Sequence, residues 1–547
     1  MARKVKWSVL VALMSQGAAA QTALDRADPR LIERTLPPPS ASDAAIPTPP
    51  TRATPLPTPA ARVTGTVRAV VIDGRGALPA AVFATPIASV IGQELSRDEV
   101  AALAGSVAAV ARAQGYPFAT AQVPAQALRD GILHVTLDLG RIDAVRVIGA
   151  RSATADRLLG RALATGTAVR RDQLERALLL VGDVPGVRIT DSRLIRQDGF
   201  GILLVTIERD GASGYIQLDN RGSSEVGPVR STALASVRGL AQDGDELALI
   251  VSQTPLQPTE FTFLRARYGA PVGNDGAILS ASGSIARTRP GGILRTLDVR
   301  GRSADAAIAL QYPLVRTRAR SLWATGELRA LGTDQDLARR RLRSDRIATV
   351  TATLGGSATL GRGVLRAELA TIAGLPGMGT TRQGALLASR SDGDARFVAG
   401  TYMIDWTASI GKPFSVAIAS AGQVSSRPLL AAAEIGLGGP AFGRGYDYAE
   451  RTGDHGVMGS LELRADTGRI PGSVVDRGQL YTFVDGGVVG NRHGGIGGGS
   501  LASTGVGVRI GTGHFDWMAE AALPLGPARF DTGDHRPRIS LRVARAF

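Results

Sequence analysis

From about residue 211 onward, apolar and polar positions alternate with a period of two, in short stretches broken by Gly, Asp and Arg clusters. Leu322, Ala324, Gly326, Leu328 and Ala330 interleave with Trp323, Thr325, Glu327 and Arg329, and Leu365, Ala367 and Leu369 with Arg366 and Glu368. Leu461, Leu463 and Ala465 do the same with Glu462 and Arg464. One face of each stretch is small or apolar and the other is polar, as in a wall with lipid outside and water inside. The span 211–547 predicts sixteen antiparallel strands at about 21 residues each, enough for a spanning strand of ~9 to 11 residues and its connection. Tyr268-Gly269-Ala270-Pro271-Val272, Tyr312-Pro313-Leu314, Lys412-Pro413-Phe414 and Leu523-Pro524-Leu525 each sit between two alternating stretches. Proline lacks a ladder donor, so these are expected to be turns, all on the periplasmic side where connections are short.

Upstream the periodicity changes. Val67 to Ile72 reads as a strand, Ala80 to Ile91 and Arg97 to Gln114 as helices, and Ala119 to Val123 and Ile132 to Leu139 as strands. Ser96 and Glu99 form a capping box ahead of Val100, Leu103, Val107 and Val110 at helical spacing. The order recurs: strand Ala144 to Ile148, helices Ala153 to Ala164 and Arg171 to Val181, strands Val187 to Leu194 and Ile202 to Ile207. Two tandem α/β modules are expected, over 63–140 and 141–210. Ahead of them the proline-rich stretch 37–62 reads as a semi-extended linker that cannot pack as a domain. Thr22 to Leu36 reads as a short helix with Leu24, Leu31, Ile32 and Leu36 on one side.

Arg3, Lys4 and Lys6 precede the apolar run Trp7 to Met14, and Ala18-Ala19-Ala20 offers a cleavage site, so residues 1–20 are expected to be an export signal. No later segment reaches an uninterrupted apolar run of ~18 residues, which argues against helical membrane spans. Cysteine is absent, which removes disulfide scaffolds and thiolate metal sites. The formal charge is +15, but Lys occurs at positions 4, 6 and 412 alone and the arginines form no block, so nucleic acid is not expected as a partner. Aromatic content of 4% is low for a barrel with aromatic girdles, and a soluble β-sandwich array shares the period of two. Phe547 favours the barrel: Ile539, Leu541, Val543 and Phe547 share one face of a terminal strand, interrupted by Arg545, as a signal that barrel-assembly machinery reads. The five histidines, at 134, 455, 493, 514 and 535, show no HExxH or other close ligand pair, and no GxSxG elbow is present. The glycine runs at 494–495 and 497–499 lack a Walker lysine and read as a flexible loop. No catalytic residue, cofactor or metal site is expected.

Several motifs carry a resemblance. Gly115-Tyr116, Val123-Pro124-Ala125-Gln126, Asp130-Gly131 and Gly140-Arg141-Ile142 resemble the polypeptide-transport-associated (POTRA) domain. Gly443-Arg444-Gly445-Tyr446, Phe483-Val484-Asp485-Gly486-Gly487, Leu218-Asp219-Asn220-Arg221-Gly222, Tyr312-Pro313-Leu314-Val315-Arg316 and Gly453-Asp454-His455-Gly456 leading to Glu462 extend it. Together they resemble the two-partner secretion transporters, the TpsB group of ShlB/FhaC/HecB hemolysin secretion/activation proteins within the BamA-like superfamily. The resemblance implies a transmembrane β-barrel in the outer membrane of a Gram-negative bacterium. Two periplasmic POTRA domains and a plug helix over 21–36 would precede it.

It further implies that Gly443, Arg444, Gly445 and Tyr446 tip an extracellular loop folded back into the lumen. Phe483, Asp485 and Gly487 would lie on the inner wall, with Arg444 against Asp485 and Glu462 as a possible supporting charge. An arginine in a confined lumen needs a carboxylate, and the two glycines let the backbone turn sharply. Tyr446 is expected to pack its ring and keep its hydroxyl hydrated. The implied partners are a secreted exoprotein, adhesin or hemolysin-like, outer-membrane lipid, and barrel-assembly machinery with periplasmic chaperones during biogenesis. The implied function is export of that exoprotein, captured unfolded by the POTRA domains. The alternative is a BamA-like factor that assembles other barrels.

Overall fold

The computed structural model describes residues 51–53, 63–197, 200–223, 225–377, 379–469, 472–493 and 497–547. The expected export signal, the helix from Thr22 to Leu36 and most of the linker lie outside the described residues.

In the first module, strand Ile132–Asp138 is central, parallel to Ala69–Asp73 and antiparallel to Thr120–Gln122. Helix α1 (Ala84–Ala88) follows a 3-10 turn at Ala80–Phe83, and helix α2 is Arg97–Ala113. The single helix expected over Ala80 to Ile91 is thus broken, because Pro86 has no N–H to bond back to the preceding turn. Helix α2 opens on the reciprocal box: Ser96 N donates to Glu99 Oε2 at 2.7 Å and Glu99 N to Ser96 Oγ at 3.3 Å. Its buried Val100, Leu103 and Val107 join Leu133, Val135 and Leu137 in one core.

The second module repeats the plan with strand Ala144–Gly149, helices α3 (Ala153–Leu163) and α4 (Arg171–Gly182), and strands Val187–Gln197 and Phe200–Arg209. Phe200–Arg209 is parallel to Ala144–Gly149 and antiparallel to Val187–Gln197. Phe118 of the first module is fully buried in the second module's core, with Ile142 and Leu159. Part of the linker also joins this sheet: Thr51–Ala53 pairs in parallel with Ser192–Leu194 along its edge. Sequence periodicity gives no sign of a three-residue strand between prolines.

Among the described residues sixteen antiparallel strands, from Ala212–Asp219 to Arg538–Ala546, pair in chain order and close into a barrel. The first and last strands pair from Tyr215↔Ala546 to Asp219↔Arg542, and Asn220 extends the seam by accepting from Leu541 N at 2.7 Å and donating to Ile539 O at 3.0 Å. The alternation resolves as expected. Leu328, Leu369 and Ile539 stand 50%, 60% and 55% exposed on the outer wall. Inside, Arg329 bridges Glu327 at 2.9 Å and Asp305 at 3.0 Å. Arg545, on the outer face, sits 5.1 Å from the Phe515 ring centroid and 4.6 Å from that of Phe547, so two aromatic faces receive its charge.

The second module rests on the turns at one end of the barrel. Arg316 makes a two-pronged bridge to Asp183, at 2.6 and 2.7 Å, and Arg176 donates to Pro313 O at 2.9 Å. Asp243, in the turn at 239–245, accepts from Ser152 Oγ at 2.7 Å and Thr154 N at 2.8 Å and bridges Arg209 at 2.6 Å. The expected proline turns need correction here. Lys412-Pro413 is a turn at this module end, but Pro271 and Pro313 lie in the last rungs of paired strands, with a register shift beside Pro313. Pro524 closes the strand Phe515–Pro524 at the far end of the barrel, because that strand leaves the module end at Phe515 beside Arg545.

Candidate functional site

At the far end, residues 426–454 connect the eleventh strand, Phe414–Ser425, to the twelfth, His455–Asp466. A small ladder, Ile435–Leu437 against Arg451–Gly453, gives this loop a neck. Beyond it the chain reverses through Gly438 and Gly443, whose φ values of 112° and 82° suit glycine. The reversal is closed by Gly438 N to Phe442 O at 3.0 Å and Tyr446 N to Gly443 O at 2.9 Å. Gly445 faces the wall so closely that a Cβ would stand 3.0 Å from Pro524 N and 3.1 Å from Ser503 Cβ.

The tip places Arg444 among three carboxylates, with one-tenth of its side chain exposed. Nη1 donates to Glu462 Oε2 at 2.8 Å and to Glu520 Oε2 at 3.2 Å, Nη2 to Ser460 Oγ at 3.3 Å, and Nε lies 3.1 Å from Asp485 Oδ2. Below it, the guanidinium carbon is 4.0 Å from the centroid of the Phe483 ring. Asp485 Oδ1 accepts from Gly443 N at 2.9 Å, from Arg444 N at 3.3 Å and from the Ser503 hydroxyl.

Alternation along the thirteenth strand, Arg477–Gly490, turns Tyr481, Phe483 and Asp485 inward together. Opposite them on the fourteenth strand, Gly499–Thr512, stand Gly507, Gly505 and Ser503. A Cβ at Gly505 would fall 2.7 Å from the Phe483 ring and one at Gly507 2.3 Å from that of Tyr481, so bare backbone makes room for both rings. Gly487, which pairs with Met458, would bring a Cβ within 2.5 Å of Val457 O. Further arginines offset the negative charge: Arg509 and Arg464 reach Glu462 Oε1 at 2.8 and 2.6 Å, and Arg221 reaches Glu520 at 3.1 Å. The Arg509 guanidinium also covers the Tyr481 ring at 3.9 Å, and the Tyr481 hydroxyl donates to Glu520 at 2.9 Å.

Tyr446 corrects one expectation. Its side chain is fully buried with Leu437, Met458, Val489 and Leu501. Its hydroxyl is not left to water: it accepts from Gly526 N at 3.0 Å and donates to Pro527 O at 3.1 Å. The ring thereby ties this loop to the one between the last two strands.

Two further anchors were given no role from sequence, although Asp454 lies in the Gly453-Asp454-His455-Gly456 stretch. Asp454, fully buried, accepts from Leu429 N at 2.6 Å, Arg492 N at 2.8 Å and Arg390 Nη1 at 2.8 Å, and Arg390 also bridges Glu434 at 2.5 Å. Asp447 pairs with Arg538 of the last strand. Glu520 was missed as well, although its inward parity beside Trp517, Ala519 and Ala521 is readable from alternation. What sequence does not supply is which inward acid faces Arg444. Phe547 lies away from this cluster, on the outer wall at the module end, paired with Gly214 through its N–H at 2.8 Å.

Comparisons with known proteins place this geometry. The family model described as haemolysin secretion/activation protein ShlB/FhaC/HecB matches residues 201–510, and the POTRA domain, ShlB-type, matches residues 66–140. The heme/hemopexin transporter protein HuxB of Haemophilus influenzae strain 86-028NP is 23% identical over 384 residues, 68% of this chain and 67% of that protein. Among solved structures, CdiB from Escherichia coli superposes with a TM-score of 0.69 at 19% identity, covering 100% of this chain and 98% of that one. CdiB from Acinetobacter baumannii gives 0.63 at 17%, covering 97% and 99%. BamA from Haemophilus ducreyi lacking POTRA domains 1–3 gives 0.55 at 14%, covering 88% and 99%.

Proposed function

Because the chain belongs to the haemolysin secretion/activation protein ShlB/FhaC/HecB family, the outer-membrane transporters of two-partner secretion, we propose the following division of labour within it. The two POTRA modules stand in the periplasm and take up an unfolded exoprotein by strand addition, whose main-chain bonds tolerate many sequences. The edges open for this are Ala69–Asp73 and Thr120–Gln122 in the first module and Ala144–Gly149 in the second, since Thr51–Ala53 already covers the other edge of the second sheet. Exposed Val71 and Ile148 on these strands offer apolar footholds.

The exoprotein then passes through the barrel and folds outside, and in the absence of a nucleotide its folding and retention drive the passage. The loop carrying Arg444 lies across that path at rest and is displaced, or repositioned, as the chain passes. Residues 21–36 act as a plug that leaves on engagement. The partner class is a secreted adhesin or hemolysin-like polypeptide, and biogenesis of the barrel itself uses assembly machinery and periplasmic chaperones.

The observation that carries this reading is the Arg444 tip inside a closed barrel, held by Glu462, Glu520 and Asp485 from three different strands. Breaking such a buried linkage at one partner leaves an uncompensated charge, which holds the tip in place at rest. The BamA likeness leaves barrel assembly as the competing activity, and the ShlB-type character of both matched regions favours secretion.

Planar-bilayer conductance of the full mature chain, with and without residues 22–36 and with a candidate exoprotein's amino-terminal domain added, tests it. Conductance that rises on deletion and responds to that polypeptide supports a protein-conducting barrel. Folded protein that stays silent under all three conditions would move the assignment to barrel assembly.

A further inference from the structure

On the outer wall, the apolar rows of strands five to eight give way to charged residues toward the far rim. Ile285 gives way to Arg287, Ile308 to Arg302, Leu328 to Asp334 and Val350 to Arg346. Arg287 and Arg302 are direct cross-strand partners, both exposed. Like charges directly opposite on one face destabilise a ladder unless something neutralises them.

The nearby carboxylates do not. Asp334 is register partner to Arg302, yet it is engaged by Arg341 at 2.5 Å and by Arg346 at 3.0 Å. Asp336 is held by Arg341 at 2.7 Å. Two acids and two arginines thus balance, and among the described residues Arg287 and Arg302 have no carboxylate partner. Directly beneath the pair is a groove of about 610 Å³ whose floor includes Ile285, Ala304, Ala306 and Ala330. Three alanines on adjacent strands make the wall shallow where the neighbouring rows carry Ile and Leu.

We propose that Arg287 and Arg302 clamp the phosphate of an anionic lipid of the outer leaflet, whose acyl chain lies in the groove over Ala304, Ala306 and Ala330. Guanidinium groups suit phosphate oxygens in two-pronged geometry, and the strip of alanines suits a hydrocarbon chain. A cationic pair at the top and an apolar floor below match an amphiphile oriented as in the leaflet. A soluble anion would use the first and leave the second empty. The level of the site follows from the modules lying at the opposite, periplasmic end.

The test is native mass spectrometry of the full chain in detergent, with diphosphorylated lipid A as probe. Bound lipid should fall by about tenfold or more in the double variant Arg287→Gln/Arg302→Gln, consistent with loss of two charge-assisted contacts. The double variant Arg287→Lys/Arg302→Lys should fall between, since an ammonium keeps the charge and loses the fork. Dephosphorylated lipid A should bind as weakly as the Gln variant, and millimolar inorganic phosphate should not displace the intact lipid. Equal lipid retention by wild type and the Gln variant, or equal binding of the dephosphorylated probe, overturns the proposal. Displacement by inorganic phosphate reassigns the pair to a free anion and likewise overturns it. Both side chains point outward from the wall, and the single variants provide the same comparison should the double variant misfold.

Discussion

Asp485 holds Arg444 chiefly by its backbone. Its Oδ1 accepts from Gly443 N and Arg444 N, whereas Oδ2, 3.1 Å from Arg444 Nε, is not in line for a hydrogen bond. The guanidinium directs its aligned bonds to Glu462 and Glu520 instead. The position of the tip and the placement of its charge are therefore governed by different residues, which mutation can separate.

Arg444→Ala leaves Glu462, Glu520 and Asp485 facing one another with one cation fewer. Removing one partner of a buried pair costs about 3 to 5 kcal/mol, less where lumen water screens it. Export of the exoprotein should drop by roughly tenfold or more while the barrel still folds. Arg444→Lys should restore little, because a point charge cannot reach three carboxylates at once. Quantifying exported protein beside heat-modifiable migration of the barrel checks this, and undiminished export would remove the loop from the mechanism.

Asp485→Asn and Asp485→Ala should differ. The amide oxygen of Asn still accepts from the tip N–H groups, whereas Ala orphans two buried donors at about 1 to 3 kcal/mol each. Limited proteolysis within 438–449 should therefore be fast in the Ala variant and near wild type in Asn. Equal cleavage of the two would mean that charge, not backbone capture, seats the loop.

Gly507→Ala should disturb the cluster from the outside in. A Cβ there meets the Tyr481 ring at 2.3 Å, so the ring must shift and its hydroxyl leaves Glu520. Overpacking of this kind costs roughly 1 to 3 kcal/mol. A lower midpoint in thermal unfolding is expected, together with increased conductance, and an unchanged midpoint would show that the ring has space elsewhere.

Docking of the second module should weaken in acid. Burial acts to raise the Asp243 pKa, but hydrogen bonds from Thr154 and Ser152 and the nearby Arg209 outweigh it and hold the carboxyl below the usual aspartate range. A depressed value in the docked state means that its stabilisation is complete above the free value, about 3.9, and is lost as pH falls through the docked one. The protection factors of residues 152–155, taken relative to the intrinsic exchange rate at each pH, should fall on going from pH 6 to 3. Asp243→Asn should lower that protection at pH 6 and lose less of it on acidification.

Phe118→Ala should loosen the joint between modules without unfolding the first. The ring is absent from the first module's core and fully buried in the second's, so truncation empties a site on the far side of the boundary. A loss of about 3 to 5 kcal/mol is expected there. Exchange protection should fall around Ile142 and Leu159 and persist around Val107 and Val135.

The outward rows were legible because a period of two is a local property: Leu328, Leu369 and Leu461 needed no partner to be assigned to lipid. The helices were legible through caps and spacing, as at Ser96 and Glu99. What was not legible depended on closure in three dimensions. Which acid faces Arg444 is decided by the arc between strands twelve, thirteen and fifteen, so Glu520 stayed hidden beside the named Asp485. The hydroxyl of Tyr446 found Gly526 and Pro527 eighty residues away, and Pro524 had the chemistry of a turn residue at the wrong end of its strand. Phe118 crossed a module boundary that the repeat suggested was clean.

The three rungs between Thr51–Ala53 and Ser192–Leu194 set a leash. Upstream of Thr51, residues 37–50 reach at most about 50 Å even fully extended, at ~3.3 to 3.6 Å per residue. A segment before residue 37 that comes free is therefore not diluted into the periplasm. It remains near the second module at an effective concentration on the order of millimolar, and a plug formed by it would return on a timescale independent of cell volume. The chain already makes that return intramolecular, and the three rungs shorten the tether to the fourteen residues before Thr51, which raises the local concentration.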